Sequence, residues 1–250
     1  MAVGHIIFEE ERKAMAEVIN LIYTRKLTNT AGGNFSFKTK DKDGKEYLIM
    51  TPTMMSEAYL GKVSPSQVLV VEPHTRKIIA GEGNLTREIN MHEAVYNTNP
   101  NINAVLHAHA PESMFWATSH LPMPNLTEAT QKVKTIPVLE FAPNCSEELA
   151  GTVSNHIKDN QLEMPIELLL DSHGVLIAVD AEDGITAIHK ALSILDTVET
   201  NARIAYQQTV MQGMGVLDGY YSKGVKVGDL EDIKKGNALY NNKVKDAGGD

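Results

Sequence analysis

The chain has very little sulfur chemistry available to it. It contains one cysteine, Cys145, so no disulfide can form within it. That fits a reducing compartment. It also has no run approaching the ~20 apolar residues a membrane-spanning helix needs. Residues 1–8 meet Glu9, Glu10 and Glu11 at once, so the start lacks the basic opening and long apolar core of a secretory leader. Positive charge is in deficit, with 23 Lys and Arg against 32 Asp and Glu and a net charge of −9. A chain this acidic is a poor non-specific partner for nucleic acid or anionic membranes, so any anion must be held in a local pocket. The sequence carries no P-loop, no dinucleotide fingerprint and no Gly-x-Ser-x-Gly elbow. Phosphate-loop, nicotinamide and serine-hydrolase chemistry therefore lack support. The expectation is a cytoplasmic protein with no nucleic-acid or membrane partner.

What is present is ordinary globular composition, 42% hydrophobic and 22% charged, over 250 residues. Periodicity predicts a helix over 8–27, with Met15, Val18, Ile19 and Ile22 on one stripe. Short strands follow over 34–39 and 46–51, joined by the turn Asp41-Lys42-Asp43-Gly44. Further strands are expected near 68–71 and 77–79. A short helix is read over 86–97, a strand over 103–109, and a helix over 111–117 opened by Pro111. Residues 121–143 are punctuated by proline and give no clear pattern. A helix over 147–158, strands over 166–170 and 175–179, and a long helix over 183–212 complete the reading. Strands and helices intermix, and neighbouring strands read as antiparallel. The expected fold is a single α/β domain over 1–212, with a central, mainly antiparallel sheet covered by helices. The glycine-rich, lysine-rich segment 213–250 reads as a tail, partly mobile or crossing to a neighbouring subunit.

Three clusters carry chemistry. His107 and His109 stand two apart in a predicted strand, so both imidazoles face one side and can meet one metal ion. His173, in the turn Asp171-Ser172-His173-Gly174, supplies a third nitrogen, and three protein ligands with one open position describe a catalytic zinc site. Thr86 and Arg87 stand at a predicted helix start, where unpaired N–H groups attract anions. Glu88 and His92 follow on one helix face. Gly32 and Gly33 lead into Asn34, a turn whose N–H groups can form an anion nest. Cys145 reads as a small buried or loop residue.

In order along the chain, Gly33-Asn34-Phe35-Ser36, Thr51-Pro52-Thr53, Glu88 with His92, His107-Ala108-His109 and Ser172-His173-Gly174 resemble the class II aldolase/adducin family, in particular its fuculose-1-phosphate aldolase branch. The resemblance implies a central antiparallel sheet and a homotetramer with sites between subunits. It implies a divalent metal, zinc first and manganese or cobalt next, on His107, His109 and His173. Glu88 matches the catalytic acid/base, which also touches the metal when substrate is absent. Gly33, Asn34 and Thr53 match phosphate-binding loops. Thr86 and Arg87 match a pair that is usually two serines, so Arg87 departs from the pattern. The family's tyrosine-bearing loop is shortened here to 142–146, and Tyr220 or Tyr221 is the candidate replacement phenol. The implied activity is metal-dependent retro-aldol cleavage of a ketose 1-phosphate to dihydroxyacetone phosphate and an aldehyde. The alternatives are a ribulose-5-phosphate 4-epimerase, which resembles Asp rather than Glu at the base position, a decarboxylase whose carboxylate Arg87 would grip, and a non-catalytic adducin-like module.

Overall fold

A computed structural model of the chain describes residues 7–30, 32–130 and 135–215. The elements run α1 (Glu9–Thr24), β1 (Gly33–Lys40), β2 (Glu46–Met50), α2 (Met55–Tyr59), β3 (Leu69–Val71), β4 (Ile78–Ala80), α3 (Ile89–Tyr96) and β5 (Ala104–Ala108). They continue with α4 (Pro111–Thr118), β6 (Val138–Leu139), α5 (Glu147–Asp159), β7 (Ile166–Leu170), β8 (Gly174–Val179) and α6 (Gly184–Gly213). The strands form one sheet in the order β4-β3-β2-β1-β5-β8-β7-β6. Every pairing is antiparallel except β6 with β7. The mixed α/β fold with a mainly antiparallel sheet is therefore the one expected. No described helix is long and apolar enough to cross a membrane.

Strand alternation divides the interior into two cores. Phe35, Phe37, Leu106, Ile177 and Val179 face a layer that includes α1 and α6. Burying a large apolar side chain of this kind is worth roughly 1.5–3 kcal/mol. Helix α6 fits tightly because its buried stripe is mostly small or branched, with Ala187, Ile188, Ala191, Leu195, Val198, Ala202 and Ala205. Its start is capped by Asp183, whose carboxylate accepts from the Thr186 N–H at 2.8 Å. On the opposite face, Leu48, Met50, Val105, Leu176 and Ala178 pack with Met91, Val95, Val153 and Ile157 of α3 and α5. His107 is two residues from Val105 and so faces this second layer.

Two differences from the sequence reading bear on function. The helix expected from residue 86 begins at Ile89, with Glu88 as its N-cap residue. The Glu88 N–H donates to the Thr86 hydroxyl at 3.3 Å, a local turn that competes with helix at these residues. Thr86 and Arg87 thus precede the helix rather than open it. Two elements also had no sequence signal. Helix α2 is a five-residue helix flanked by left-handed residues Met54 and Leu60. Strand β6 spans two residues, too short to show alternation. The predicted tail lies outside the described residues from 216 onward.

Glu167 is an exception in the sheet, a carboxyl on β7 that is 4% exposed, with Oε1 unpartnered. Burial pushes its pKa from 4.5 up to about 8, against the pull of Lys190. A carboxyl whose folded pKa is raised takes up a proton on folding. It therefore contributes stability at low pH that is lost as pH rises from 4.5 toward 8. Replacing it with Gln removes that dependence. The melting temperature of Glu167→Gln, relative to wild type, should rise steadily between pH 5 and pH 8 in scanning calorimetry. A difference independent of pH would show that Glu167 ionises normally.

Candidate metal centre and anion pocket

Strand β5 lies between β1 and β8, and both neighbours approach its C-terminal end closely. A Cβ on Gly33 would stand 2.8 Å from the His107 carbonyl oxygen, at a backbone φ of 117°. A Cβ on Gly174 would stand 2.5 Å from the Ala108 oxygen and 3.0 Å from the His107 ring. Glycine at both positions lets three backbones converge where the imidazoles emerge. His109, just past the strand end, is held by its N–H donating to Thr28 Oγ1 at 3.1 Å. His173 occupies the short turn between β7 and β8, where Ser172 adopts a left-handed φ of 55°. Its N–H donates to the Leu170 carbonyl at 3.0 Å.

The structure brings His107, His109 and His173 together. One ligand nitrogen from each lies within 4.8 Å of the other two. Ring centroids are 5.1 Å apart for His107 and His109, 4.6 Å for His107 and His173, and 5.2 Å for His109 and His173. His107 Nδ1 lies 3.0 Å from the Val175 carbonyl, an acceptor, so Nδ1 carries the proton and Nε2 presents a lone pair. A carbonyl fixing the far nitrogen is the usual arrangement behind a metal-bound imidazole. His107 Nε2 is buried without a hydrogen-bond partner, and so is Glu88 Oε1. Glu88 lies 3.6 Å from His107 Nε2 and 3.3 Å from His173 Nε2.

These charges are arranged for a cation. Burial pushes the His107 pKa down to about 3, against the pull of Glu88. Burial also lowers His109 and His173. All three are therefore neutral and have lone pairs to give. Burial works against the Glu88 carboxylate, but positive charge at the imidazole cluster together with the Asn34 N–H outweighs it and holds its pKa below the usual range, and with the imidazoles neutral that positive charge falls to a bound cation. A buried carboxylate 3.6 Å from the unprotonated His107 Nε2 is repulsive unless a positive ion lies nearby. Three imidazoles and one carboxylate suit a borderline divalent ion such as zinc.

A cavity of about 140 Å³ opens beside this cluster, lined by residues that include Gly33, Asn34, Thr53, Thr86, Arg87 and Glu88. The residues expected for anion binding are thus gathered in one place. Arg87 is exposed and makes no hydrogen bond or ion pair among the described residues. Asn34 is engaged inward. Its Nδ2 donates to Glu88 Oε2 at 2.6 Å and its Oδ1 faces His92 Nε2 at 2.6 Å, leaving one N–H for a ligand. His92 Nδ1 in turn meets Ser36 Oγ at 2.7 Å, and Ser36 Oγ meets the Tyr96 hydroxyl at 2.8 Å. Cys145, Asn144, Glu57 and Met54 also line the cavity. Sequence reasoning had not placed them there, because no motif marks a lining residue on a loop. Tyr220 and Tyr221 lie outside the described residues.

The sequence profile of the class II aldolase and adducin N-terminal domain matches residues 13–206, and the chain belongs to that family. Among individual relatives, L-fuculose phosphate aldolase of Methanococcus vannielii is 32% identical over 165 residues, 66% of this chain and 81% of the relative. The Methanococcus maripaludis enzyme of the same name is 30% identical over 161 residues, 64% and 79% of the two chains. Among solved structures, the L-fuculose-1-phosphate aldolase of Thermus thermophilus superposes with a TM-score of 0.66 at 23% identity, covering 81% of this chain and 97% of that one. YgbL of Klebsiella pneumoniae, whose candidate activities are aldolase, epimerase and decarboxylase, gives 0.65 at 19% identity over 91% and 98%. These structural likenesses establish the shared fold.

Purified protein should carry one divalent ion per chain, and His109→Ala should lose most of it while remaining folded. Adding zinc to metal-free wild type should raise its melting temperature, since an ion at about 100 times its Kd stabilises by ~2.7 kcal/mol. Equal metal content in wild type and His109→Ala by elemental analysis would refute the ligand assignment.

Proposed function

We propose that this chain is a metal-dependent aldolase that cleaves a ketose 1-phosphate into dihydroxyacetone phosphate and an aldehyde. The observation carrying the reading is the free, buried Oε1 of Glu88, set between the imidazole cluster and the anion-lined cavity. His107, His109 and His173 would hold the ion, most simply zinc, with manganese or cobalt as alternatives. When bound, it supplies Lewis-acid stabilisation for negative charge developing on the oxygens of a ketone and its neighbouring hydroxyl. In cleavage, Glu88 takes up the proton released from the hydroxyl beyond the breaking bond and delivers it to the carbon beside that ketone, which has kept the bond's electron pair. Gly33, Asn34, Thr53, Thr86 and Arg87 hold the phosphate and so fix the distance from anion to reacting carbon. Tyr220 would supply a phenol as the second catalytic group beside Glu88. A homotetramer with sites between subunits belongs to the same reading. Exposed Met54, Leu60 and Phe141 support it as apolar surface available to a neighbour.

Glutamate at position 88 favours cleavage over the epimerase alternative, whose pattern resembles aspartate there. A second reading rests on Arg87. A free guanidinium beside the base suits a substrate carboxylate as well as a phosphate, which would make the chain a decarboxylase acting on a small hydroxy or keto acid. Steady-state assays over ketose phosphates and keto acids separate the two.

Glu88→Gln should keep its fold and metal but lose ~10²–10⁴-fold in turnover, because the amide is nearly isosteric and takes no proton at neutral pH. Near wild-type turnover in that variant would exclude Glu88 as the base. Arg87→Ser should raise KM for the phosphate ester while largely sparing kcat. A charge-assisted contact of roughly 1.5–3 kcal/mol corresponds to about tenfold to more than a hundredfold in affinity. An unchanged preference for the phosphate ester over its unphosphorylated analogue would show that Arg87 points elsewhere.

A further inference from the structure

Behind the cavity lies a line of buried polar groups whose far members, Tyr96, Ser36 and His92, the chemistry above does not use. It runs from Tyr96 through Ser36 and His92 to Asn34 and ends on Glu88 Oε2. His92 and Ser36 are fully buried, and Asn34 and Tyr96 are 6% and 7% exposed. No water reaches such groups cheaply, so each proton in the line must sit where a partner accepts it.

The carboxylate sets the direction of the whole line. An ionised Glu88 only accepts, so the atom of Asn34 facing it is the N–H donor. The other end of that amide is then a carbonyl and only accepts, so His92 carries its proton on Nε2. A neutral imidazole protonated on Nε2 has a lone pair on Nδ1, so Ser36 donates there. Ser36 Oγ, having given its proton, receives one from the Tyr96 hydroxyl. Four donors therefore point in sequence at Oε2. The reverse orientation would turn the Asn34 carbonyl against a carboxylate 2.6 Å away, which is repulsive.

We propose that His92 is a positioning residue for Glu88. By locking the Asn34 amide in one orientation, it ties down Oε2 and leaves Oε1 as the single oxygen able to exchange a proton with substrate. The role rests on the aldolase reading in one respect only, that Glu88 is the group moving the proton. Ser36 and Tyr96 extend the lock. Tyr96 terminates it with a hydroxyl whose ionisation burial strongly disfavours, so the line has a donor at its far end. His92 is itself neither a cavity-lining residue nor one of the three clustered histidines.

The test uses zinc-loaded full-length protein and three variants. In His92→Gln, the side-chain amide nitrogen reaches the place of Nε2 and can still donate to Asn34. In His92→Leu, volume is kept and the donor is lost. Tyr96→Phe removes only the terminal hydroxyl. Nitrogen-15 NMR of histidine-labelled wild type should show the Nε2–H tautomer for His92, and the Asn34 side-chain amide signal should move in His92→Leu but little in His92→Gln. Hydrogen exchange into dihydroxyacetone phosphate and the cleavage kcat should fall ~10–100-fold in His92→Leu, at unchanged zinc content and with KM within about twofold. His92→Gln should recover most of the loss, and Tyr96→Phe should lose only severalfold.

Equal loss in the Gln and Leu variants, or loss that tracks zinc content, would overturn the proposal. So would an Nδ1–H tautomer, since it reverses the line. If wild type exchanges and cleaves no sugar phosphate, the aldolase reading fails instead. The tautomer and the Asn34 signal then decide the orientation alone, Nε2–H upholding it and Nδ1–H overturning it.

Discussion

The arrangement around the site follows from one electrostatic constraint, a carboxylate kept ionised where water barely reaches it. Glu88 is 7% exposed. Removing such a charge from water costs several kcal/mol after relaxation, and it persists only if its oxygens find compensation. Oε2 has the Asn34 N–H. The position at the N-cap of α3 adds the favourable field of the helix start. Oε1 has no hydrogen-bond partner and lies 3.3 Å from His173 Nε2. A divalent ion among the clustered imidazoles resolves the conflict for both sides at once. The two close glycines and the Val175 carbonyl then read as the means of setting imidazole positions tightly enough to serve one ion.

The sheet and α3 can cooperate because their repeats nearly match. Two residues along a strand advance ~6.4–6.8 Å, and four along a helix advance ~6 Å. Asn34 and Ser36 are two apart on β1. Glu88, His92 and Tyr96 are four apart at and along α3. Laid side by side, Asn34 falls between Glu88 and His92, and Ser36 between His92 and Tyr96, as the hydrogen bonds show. The same strand face carries Leu48 and Val105 neighbours into the apolar core. The polar line is thus embedded in packed hydrophobic surroundings that hold the helix at one distance from the sheet.

Much of this was legible before any coordinates. The long helices and the buried strands announce themselves by period, and their ends agree with the structure to within a few residues. The His-x-His pair and His173 come together as the strand pattern requires. Local chemistry hid the rest. Thr86 bonds the Glu88 N–H and delays the helix, an outcome that side-chain spacing alone does not reveal. Strand β6 is defined by its partner β7, since two residues carry no period. Asn34 looked outward, toward an anion, because a glycine-rich turn invites that reading. The observed amide faces inward on both ends, because a buried histidine and a buried carboxylate need it more than solvent-facing ligand does. The 88, 92, 96 spacing against 34, 36 was the signal that contained this, and it becomes readable only once β1 is known to lie under α3.

The boundary between Arg87 and Glu88 has a further consequence for what the site can hold. These neighbours sit in the turn just before α3, with one side chain exposed and the other buried. Their Cα atoms are only ~3.8 Å apart, so in the proposed function the anion-binding residue and the base would share one short stretch of backbone. Met54 and Cys145 form part of the cavity wall beyond the pair. In the proposed function the anion-bearing half would be specified by β1 and the turn before α3, and selectivity for the other half would fall to the loops on the remaining cavity wall.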